Sequence, residues 1–239
     1  MEVYPELEPS RDRRVIMNRL ETLIKIYNGR VDIPDIPLGK PSISSPVISV
    51  YARHRLGADV IAHLRVVDHN LLSTKSIIKT LSYVGVRKLV LLRGDPPRQG
   101  EICNNYMQPE EAVAYAKKYG VEAGLLISPR RTDEEIMSRL SAQADIYYIT
   151  RLSEDNFERI EHIGRLIRES GSRVGVYVVV ATARNREYLH ANKIPSVRAE
   201  NLDKVLERVA GWADRAILSA PGDGDALARE IAGVIRRWI

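Results

Sequence analysis

Short apolar runs rich in β-branched residues recur along the chain, with amphipathic segments between them. The central runs are nearly continuous, as in Lys88–Leu92 and Gly175–Val180. Continuous apolar runs are typical of parallel strands that are buried on both faces. The pattern predicts eight strands, at Glu2–Tyr4, Arg30–Ile33, Asp59–Leu64, Arg87–Leu92, Val121–Ile127, Asp145–Thr150, Arg173–Val180 and Asp214–Leu218.

Helical patterns separate these strands. Apolar residues keep a helical spacing from Val15 to Tyr27, and Pro109–Gly120 joins an initial proline to an acidic first turn. Thr132 and Ser153 open segments that resemble capped helix starts. Ser45–Gly57 fits a strand or a helix, and the alternation of elements favours a helix. We predict further helices over Ser73–Val84, Asn201–Trp212 and Asp225–Trp238.

Eight strand–helix units in 239 residues predict an α/β protein with one domain, residues 1–239, folded as a single (βα)8 TIM barrel. Such barrels typically run to about 250 residues. An open, doubly wound sheet is the alternative. No linker or low-complexity tract interrupts the pattern.

Composition narrows the classes of function. The net charge of +5 comes from 9 Lys and 27 Arg against 31 acidic residues, and the basic residues are scattered among acids, which disfavours nucleic acid as a partner. The single cysteine, Cys103, excludes a disulfide framework and any zinc site with several cysteines. The sequence shows no apolar run of about 18 residues and no signal-peptide pattern, so we expect no membrane partner and a cytoplasmic location.

In a barrel of this kind the active site lies at the carboxyl ends of the strands. There a buried strand delivers Arg93, Gly94 and Asp95, followed by two prolines. The glycine allows a planar ring or a phosphate to approach the backbone, and the two charged side chains offer a cation and a carboxylate at one mouth. The alternative is an Arg–Asp pair that only closes the barrel rim.

Two further side chains are candidates by position. His63 ends the third strand, where it is either a functional group or a satisfied rim residue; no spacing with Asp68 or His69 favours a metal site. Glu2 lies on the first strand among apolar neighbours. Desolvation would raise the pKa of such a carboxyl and make it a proton donor near neutral pH; the alternative is a frayed terminal residue without a role.

The segment Ser219–Asp225 follows the last strand, where many barrels bind phosphate. Its two aspartates disfavour an anion there. We interpret the segment as a turn that leads into the N-cap of the last helix.

Taken together, these segments resemble the methylenetetrahydrofolate reductase family, flavin enzymes on a (βα)8 barrel. The resemblance is strongest over Asp59–Pro97, which contains AHLRVVDHN and KTLSYVGVRKLVLLRGDPP. The opening MEVYP, the Asp32–Gly39 loop, Tyr106 and the run Ala144–Thr150 extend it.

The resemblance implies a flavin-dependent reduction of 5,10-methylenetetrahydrofolate, or of a related methylene-pterin, to the 5-methyl form by hydride transfer through flavin N5, in one-carbon metabolism and methionine biosynthesis. Glu2 matches the acid that protonates the substrate nitrogen, and Asp95 matches the carboxylate that stabilises positive charge near the flavin and the pterin. The matched cofactor contacts are His63, Arg93, Gly94, Asp95, Tyr106 and Asp133.

The sequence also departs from the family. Arg151 stands where the family has the glutamine that holds the folate, without the aromatic residues that follow it; it is our candidate substrate ligand. The loop after the fifth strand is short, so the expected FAD has FMN as an alternative. NAD(P)H, ferredoxin or a partner reductase subunit would supply electrons, and a homo-oligomer is an open expectation. The alternative functions are a flavin-binding or partner-subunit barrel that has lost the folate site, and a phosphate-binding barrel enzyme of another class.

Overall fold

In the computed structural model, which describes residues 1–239, eight parallel strands and a ninth short one alternate with helices. The strands are β1 (Glu2–Pro5), β2 (Arg30–Ile33), β3 (Asp59–Arg65), β4 (Lys88–Leu92), β5 (Glu122–Ile127), β6 (Ile146–Ile149), β7 (Arg173–Ala181), β8 (Val197–Arg198) and β9 (Arg215–Ser219). The eight strands that sequence patterning predicts are all present, with ends that differ by at most one residue.

The helices pack around the strands. They are α1 (Arg13–Ile26), α2 (Ser45–Leu56), α3 (Leu71–Tyr83), α4 (Pro109–Lys118), α5 (Asp133–Leu140), α6 (Phe157–Glu169), α7 (Arg186–Ala191), α8 (Leu202–Ala210) and α9 (Ala232–Val234). No helix is both long enough and apolar enough to cross a membrane.

The strands form a nearly closed barrel, as expected. Hydrogen-bonded neighbours follow the order β1-β9-β7-β6-β5-β4-β3-β2. A parallel bridge between Glu6 and Asp32 joins the two ends of this order, and the amide of Leu7 donates to the carbonyl of Asp32 at 2.8 Å. The barrel is therefore closed at its carboxyl end by the residues that directly follow β1. The open-sheet alternative is excluded.

Local chemistry explains where several helices begin and end. Thr132 caps α5, since its hydroxyl accepts from the amide of Glu135 while the Glu135 carboxylate accepts from the amide of Thr132. Gly57, at φ +66°, ends α2 in the left-handed conformation that glycine adopts without strain. The helical interpretation of Ser45–Gly57 is thus confirmed.

Three features differ from the sequence pattern. α7 and the two-residue β8 lie between β7 and α8, where no element is predicted, because both are too short to show a period. The last predicted helix, Asp225–Trp238, is broken into a π-helical turn (Leu227–Ile231), α9 and a 3₁₀ turn.

The barrel interior is filled by its own cluster of side chains, separate from the larger core between strands and helices. Tyr148 lies between Gly124 and Gly175 on the neighbouring strands, and a Cβ on Gly175 would clash with its ring. The two glycines therefore make room for one large ring, and the interior is a packed layer with polar groups above and below it. The members of this layer are Tyr4, Ile61, Val90, Ile146, Tyr148, Tyr177 and Ile217.

Candidate active site

Glu2 lies at the amino-terminal end of the barrel, opposite the end where such barrels carry their chemistry. It pairs in register with Arg215, the first residue of β9. Its Oε2 accepts from Nε and Nη2 of Arg215 at 3.0 and 2.8 Å. Arg215 also donates to Glu122 and to the Tyr148 hydroxyl, each at 2.7 Å. Glu2 therefore does not reach the carboxyl-terminal mouth, because its carboxylate binds the buried Arg215 at the opposite end of the barrel.

Glu6, by contrast, lies at the carboxyl-terminal mouth of the barrel. It follows β1 directly, is partly buried, and accepts from the Ser219 hydroxyl at 2.8 Å. Burial, together with the nearby charge of Asp32, raises the pKa of Glu6 to about 7, against the lowering effects of His63 and Ser219. A carboxyl group of this kind holds its proton close to neutral pH.

Asp32, His63 and Tyr177 form a buried polar triangle beside Glu6. Nε2 of His63 lies 2.9 Å from Oδ1 of Asp32 and 2.8 Å from the Tyr177 hydroxyl, which lies 3.3 Å from the same oxygen. Asp32 is completely buried, and the other two are nearly so. Burial alone would lower the pKa of His63, but the charges of Asp32 and Glu6 outweigh it and raise that pKa.

Further hydrogen bonds hold the strand ends that carry this triangle. The Ser45 hydroxyl at the start of α2 donates to the carbonyl of Ile33 at 2.6 Å and accepts from the amide of His63 at 2.9 Å. The Asp35 carboxylate accepts from the amides of Ser45 and Arg65. These contacts join the carboxyl ends of β2 and β3, so the two strands present Asp32 and His63 together.

The Arg93–Asp95 segment rests on a buried arginine. Arg65 is almost fully buried and binds Asp68 with two hydrogen bonds of 2.7 and 3.1 Å. Gly94 has φ +84°, and a Cβ there would come within 2.8 Å of the Arg65 guanidinium. The glycine is therefore required by packing against Arg65 and by its own backbone conformation.

This loop also docks on the loop after β2, and it leaves Asp95 exposed. The amide of Arg98 donates to the carbonyl of Gly39 at 2.9 Å, and a Cβ on Gly39 would clash with the backbone of Pro96. Arg93 forms no ion pair with Asp95, so the alternative of an Arg–Asp pair that closes the rim does not hold. Tyr106 is partly buried and packs against the main core.

Asp133 and Arg151 lie away from the polar triangle. Both oxygens of Asp133, at the start of α5, bind α6: Oδ1 accepts from Arg159 at 2.5 Å, and Oδ2 lies 2.8 Å from Nε2 of His162. These contacts lower the pKa of Asp133. Arg151 follows β6 in the left-handed conformation, φ 63°, and donates to the carbonyl of Lys193 at 3.2 Å.

Both aspartates of the turn after β9 bind neighbouring side chains. Asp223 accepts from the Thr182 hydroxyl at 2.9 Å and from Arg229 at 2.9 Å. Asp225 accepts from Arg19 at 2.9 Å. The two carboxylates thus tie the carboxyl end of β9 to β7 and α1.

A groove of about 700 Å³ opens beside Glu6. The loops after β1, β2 and β9 and the α7 segment form its walls. Pro37, Leu38, Tyr188 and Pro221 give it apolar surface, and Arg11 and Lys40 contribute cations. Its volume lies in the range of pockets that bind small molecules.

Sequence reasoning missed Glu6, Asp32 and Tyr177. The signal for Glu6 is the period of two along the first strand, since Glu2, Tyr4 and Glu6 all face inward and only the last reaches the mouth. Asp32 and Tyr177 lie inside strands that read as buried, where a polar residue marks a special environment. The side chains that they contact across the barrel cannot be identified until the register of the strands is known.

One family model matches part of this chain. The family model described as methylenetetrahydrofolate reductase matches residues 5–119, a span that begins just before Glu6, leaves out Glu2 and ends after α4. No curated protein gives a significant match.

Solved structures share the fold. A tryptophan synthase structure from M. tuberculosis has a TM-score of 0.60 at 14% identity, over 98% of this chain and 92% of that one. A structure from Aquifex aeolicus VF5 has a TM-score of 0.55 at 14% identity, over 99% and 90%. A designed cube-shaped protein cage has a TM-score of 0.56 at 18% identity, over 100% and 72%. At these identities the likeness shows the barrel fold and nothing more.

Proposed function

We propose that this chain, which belongs to the methylenetetrahydrofolate reductase family through residues 5–119, is an oxidoreductase that reduces a methylene-tetrahydropterin to its 5-methyl form with the help of a flavin. The family match supports a reduction related to folate. The single observation that carries the finer proposal is Glu6, a carboxyl group with its pKa raised to about 7 beside a groove of about 700 Å³.

Glu6 is suited to the proton transfer that this reaction requires. Opening the methylene bridge needs a proton on the departing nitrogen, and a general acid works best when its pKa lies near the operating pH. Ser219 orients the Glu6 carboxyl by one hydrogen bond of 2.8 Å. Glu6 therefore takes the role that the resemblance assigned to Glu2.

The exposed carboxylate of Asp95 has a complementary task. It lies in the loop after β4 and forms no ion pair within the chain. A free carboxylate at this edge would stabilise the positive charge that develops on the substrate when the bridge opens.

The mouth fits an anionic, planar cofactor. Arg93, Arg130 and Arg151 all follow barrel strands and have no carboxylate partner, and burial together with the charge of Arg130 lowers the pKa of Arg151. Cations left unpaired in this way are available for phosphate groups. With these side chains, His63 and Tyr106 would hold the flavin, which when bound supplies the hydride; Asp133 would contribute only by giving up its contacts with α6.

A second candidate is a flavin-binding or partner-subunit barrel without its own pterin site. The observation in its favour is Arg151, whose side chain turns to the carbonyl of Lys193 where the family has a substrate glutamine. Such a barrel would bind the cofactor and pass electrons to another subunit.

The visible absorbance spectrum of the purified protein tests the proposal first, with the released chromophore identified as FAD or FMN. We expect a flavin spectrum that NAD(P)H or reduced ferredoxin bleaches and that a methylene-tetrahydropterin restores. A protein that binds flavin and accepts electrons but never reduces the pterin would support the partner-subunit barrel. A colourless protein that binds no added flavin would overturn both.

A further inference from the structure

Asp32, His63 and Tyr177 form a hydrogen-bonded triangle at the mouth. Oδ1 of Asp32, Nε2 of His63 and the Tyr177 hydroxyl lie within 3.3 Å of one another. With a proton on Nε2, His63 donates to Oδ1 of Asp32, and the Tyr177 hydroxyl donates to the same oxygen. This oxygen of Asp32 therefore has two donors.

The second carboxylate oxygen of Asp32 has no such partner. Oδ2 is fully buried and meets no hydrogen-bond donor. A buried carboxylate oxygen without a donor costs free energy, and such an exception needs an explanation.

Glu6 is the side chain placed to supply that donor. Glu6 and Asp32 are bridge partners on neighbouring parallel segments, so their side chains leave the same face and both point into the barrel. A carboxyl proton on Glu6 is a hydrogen-bond donor, whereas a carboxylate there adds a second negative charge beside Asp32.

The other charged groups near this pair do not replace that proton. Glu8 and Asp35 are further carboxylates, Arg65 is bound to Asp68, and His63 is the only basic side chain in hydrogen-bond contact with Asp32. Tyr177 adds a neutral hydroxyl. Acidic groups thus outnumber basic ones in the immediate surroundings of Glu6 and Asp32.

We propose that Asp32, held in place by His63 and Tyr177, shares one proton with Glu6 and so keeps Glu6 protonated until the substrate arrives. This inference rests on the proposed function, because the shared proton is the one that the substrate nitrogen receives. Asp32 is a positioning residue, because it acts through Glu6.

The proton balance is simple. When Glu6 protonates the substrate nitrogen, the O–H bond of Glu6 breaks, an N–H bond forms, and the two carboxyl groups are left with two negative charges. That state is unfavourable in a partly dehydrated site, so the pair takes up one proton from water in the groove once the product leaves. Each turnover consumes and restores one proton.

Infrared difference spectroscopy on the flavin-free protein tests the shared proton directly. We expect the wild-type protein to show a protonated-carboxyl band that titrates near pH 7 and is absent from Glu6→Gln. Asp32→Asn removes the neighbouring charge, so the midpoint should fall by at least about one pH unit. Glu2→Gln, the same kind of change at the opposite end of the barrel, should leave the midpoint unchanged.

Two results would overturn the inference. The first is that the wild-type protein, at one pH unit below the expected midpoint, shows no protonated-carboxyl band. The second is that Asp32→Asn has the same midpoint as the wild-type protein. Asp32→Ser removes the same charge with a smaller side chain and serves if Asp32→Asn does not fold. In the flavin-loaded protein, the upper limb of the pH profile for pterin reduction should shift to lower pH together with the band. Failure of the proposed function can be told apart from failure of this inference. In that case the carboxyl band would titrate as expected, but the protein would bind no flavin.

Discussion

The two ends of the barrel carry similar side chains in opposite arrangements. At the amino end, Arg215 binds Glu2, Glu122 and the Tyr148 hydroxyl. Lys88 binds Asp59 and the Tyr4 hydroxyl there as well. At the carboxyl end, Glu6 and Asp32 face each other across the barrel seam, with a histidine and a tyrosine as partners.

The acidity of the carboxyl groups follows this difference. Burial opposes ionisation at the amino end, but the hydrogen bonds from Lys88 lower the pKa of Asp59, and those from Arg215 lower the pKa of Glu122. At the mouth, burial raises the pKa of Glu6 and of Asp35, and no arginine or lysine side chain compensates. The amino end is built for fixed charge and the mouth for a movable proton, so burial alone does not distinguish a structural carboxylate from a catalytic one.

The sharpest test compares Glu6→Gln with Glu2→Gln. Loss of a general acid costs about 10²- to 10⁴-fold in rate, so we expect Glu6→Gln to slow pterin reduction by that amount while the donor still reduces the flavin. Glu2→Gln should stay within a few-fold of wild type. The two half-reactions, followed separately by stopped-flow absorbance, check this. Equal losses in both variants, or a larger loss in Glu2→Gln, would contradict the assignment.

The comparison of Glu2 with Glu6 also shows which features could be predicted from the sequence. The strands, their order along the chain and the barrel were predictable, because buried parallel strands have a compositional signature. The assignment of the acid was not, since Glu2 and Glu6 belong to the same inward-facing period. Only closure of the barrel between Glu6 and Asp32 decides which of them reaches the mouth.

Other parts of the site depend on contacts that one sequence does not reveal. Asp133 follows a capping residue and matches the family position, yet Arg159 and His162 of α6 bind both its oxygens. Gly94 packs against the Arg65 guanidinium on the side where a Cβ would stand. Both outcomes depend on which long side chain from a neighbouring element reaches the position.

Arg215→Met tests the structural role of the amino end. It leaves Glu2, Glu122 and Tyr148 without their shared cation, and removal of one partner from a buried ion pair costs about 3–5 kcal/mol. We expect a loss of this size in the free energy of unfolding in urea. Arg165→Met is the matched control: its ion pair with Glu161 is exposed, and such pairs contribute about 0–1 kcal/mol. Similar losses in the two variants would show that the amino-end network adds no special stability.

Glu6→Gln, in contrast to Arg215→Met, should increase the free energy of unfolding. The pKa of Glu6 is raised in the folded protein, from 4.5 to about 7, so its ionisation destabilises the fold progressively as pH rises through that window. Replacing it by glutamine should therefore stabilise the protein by about 1–3 kcal/mol above the window, and most of this gain should vanish below it. Urea unfolding at pH 8 and pH 4 measures the difference. A gain that is the same at both pH values, or a loss at pH 8, would mean that Glu6 is not held protonated by the fold.

The smallest effects come from a matched pair of tyrosines. Tyr4 donates to Asp59 at the amino end at 2.5 Å, and Tyr177 contacts Asp32 and His63 at the mouth. Each Tyr→Phe change removes one hydroxyl, worth about 0.5–1.5 kcal/mol of stability, so urea unfolding should report similar losses. Activity should separate them. Asp59 keeps Lys88 in Tyr4→Phe, and pterin reduction should be unchanged, whereas Tyr177→Phe loosens the group that positions Asp32 and should slow reduction up to about tenfold. If the two variants reduced the pterin equally well, the hydroxyl at the mouth would be no more than a packing contact, and the contrast between the two ends of the barrel would rest on Glu6 and Asp32 alone.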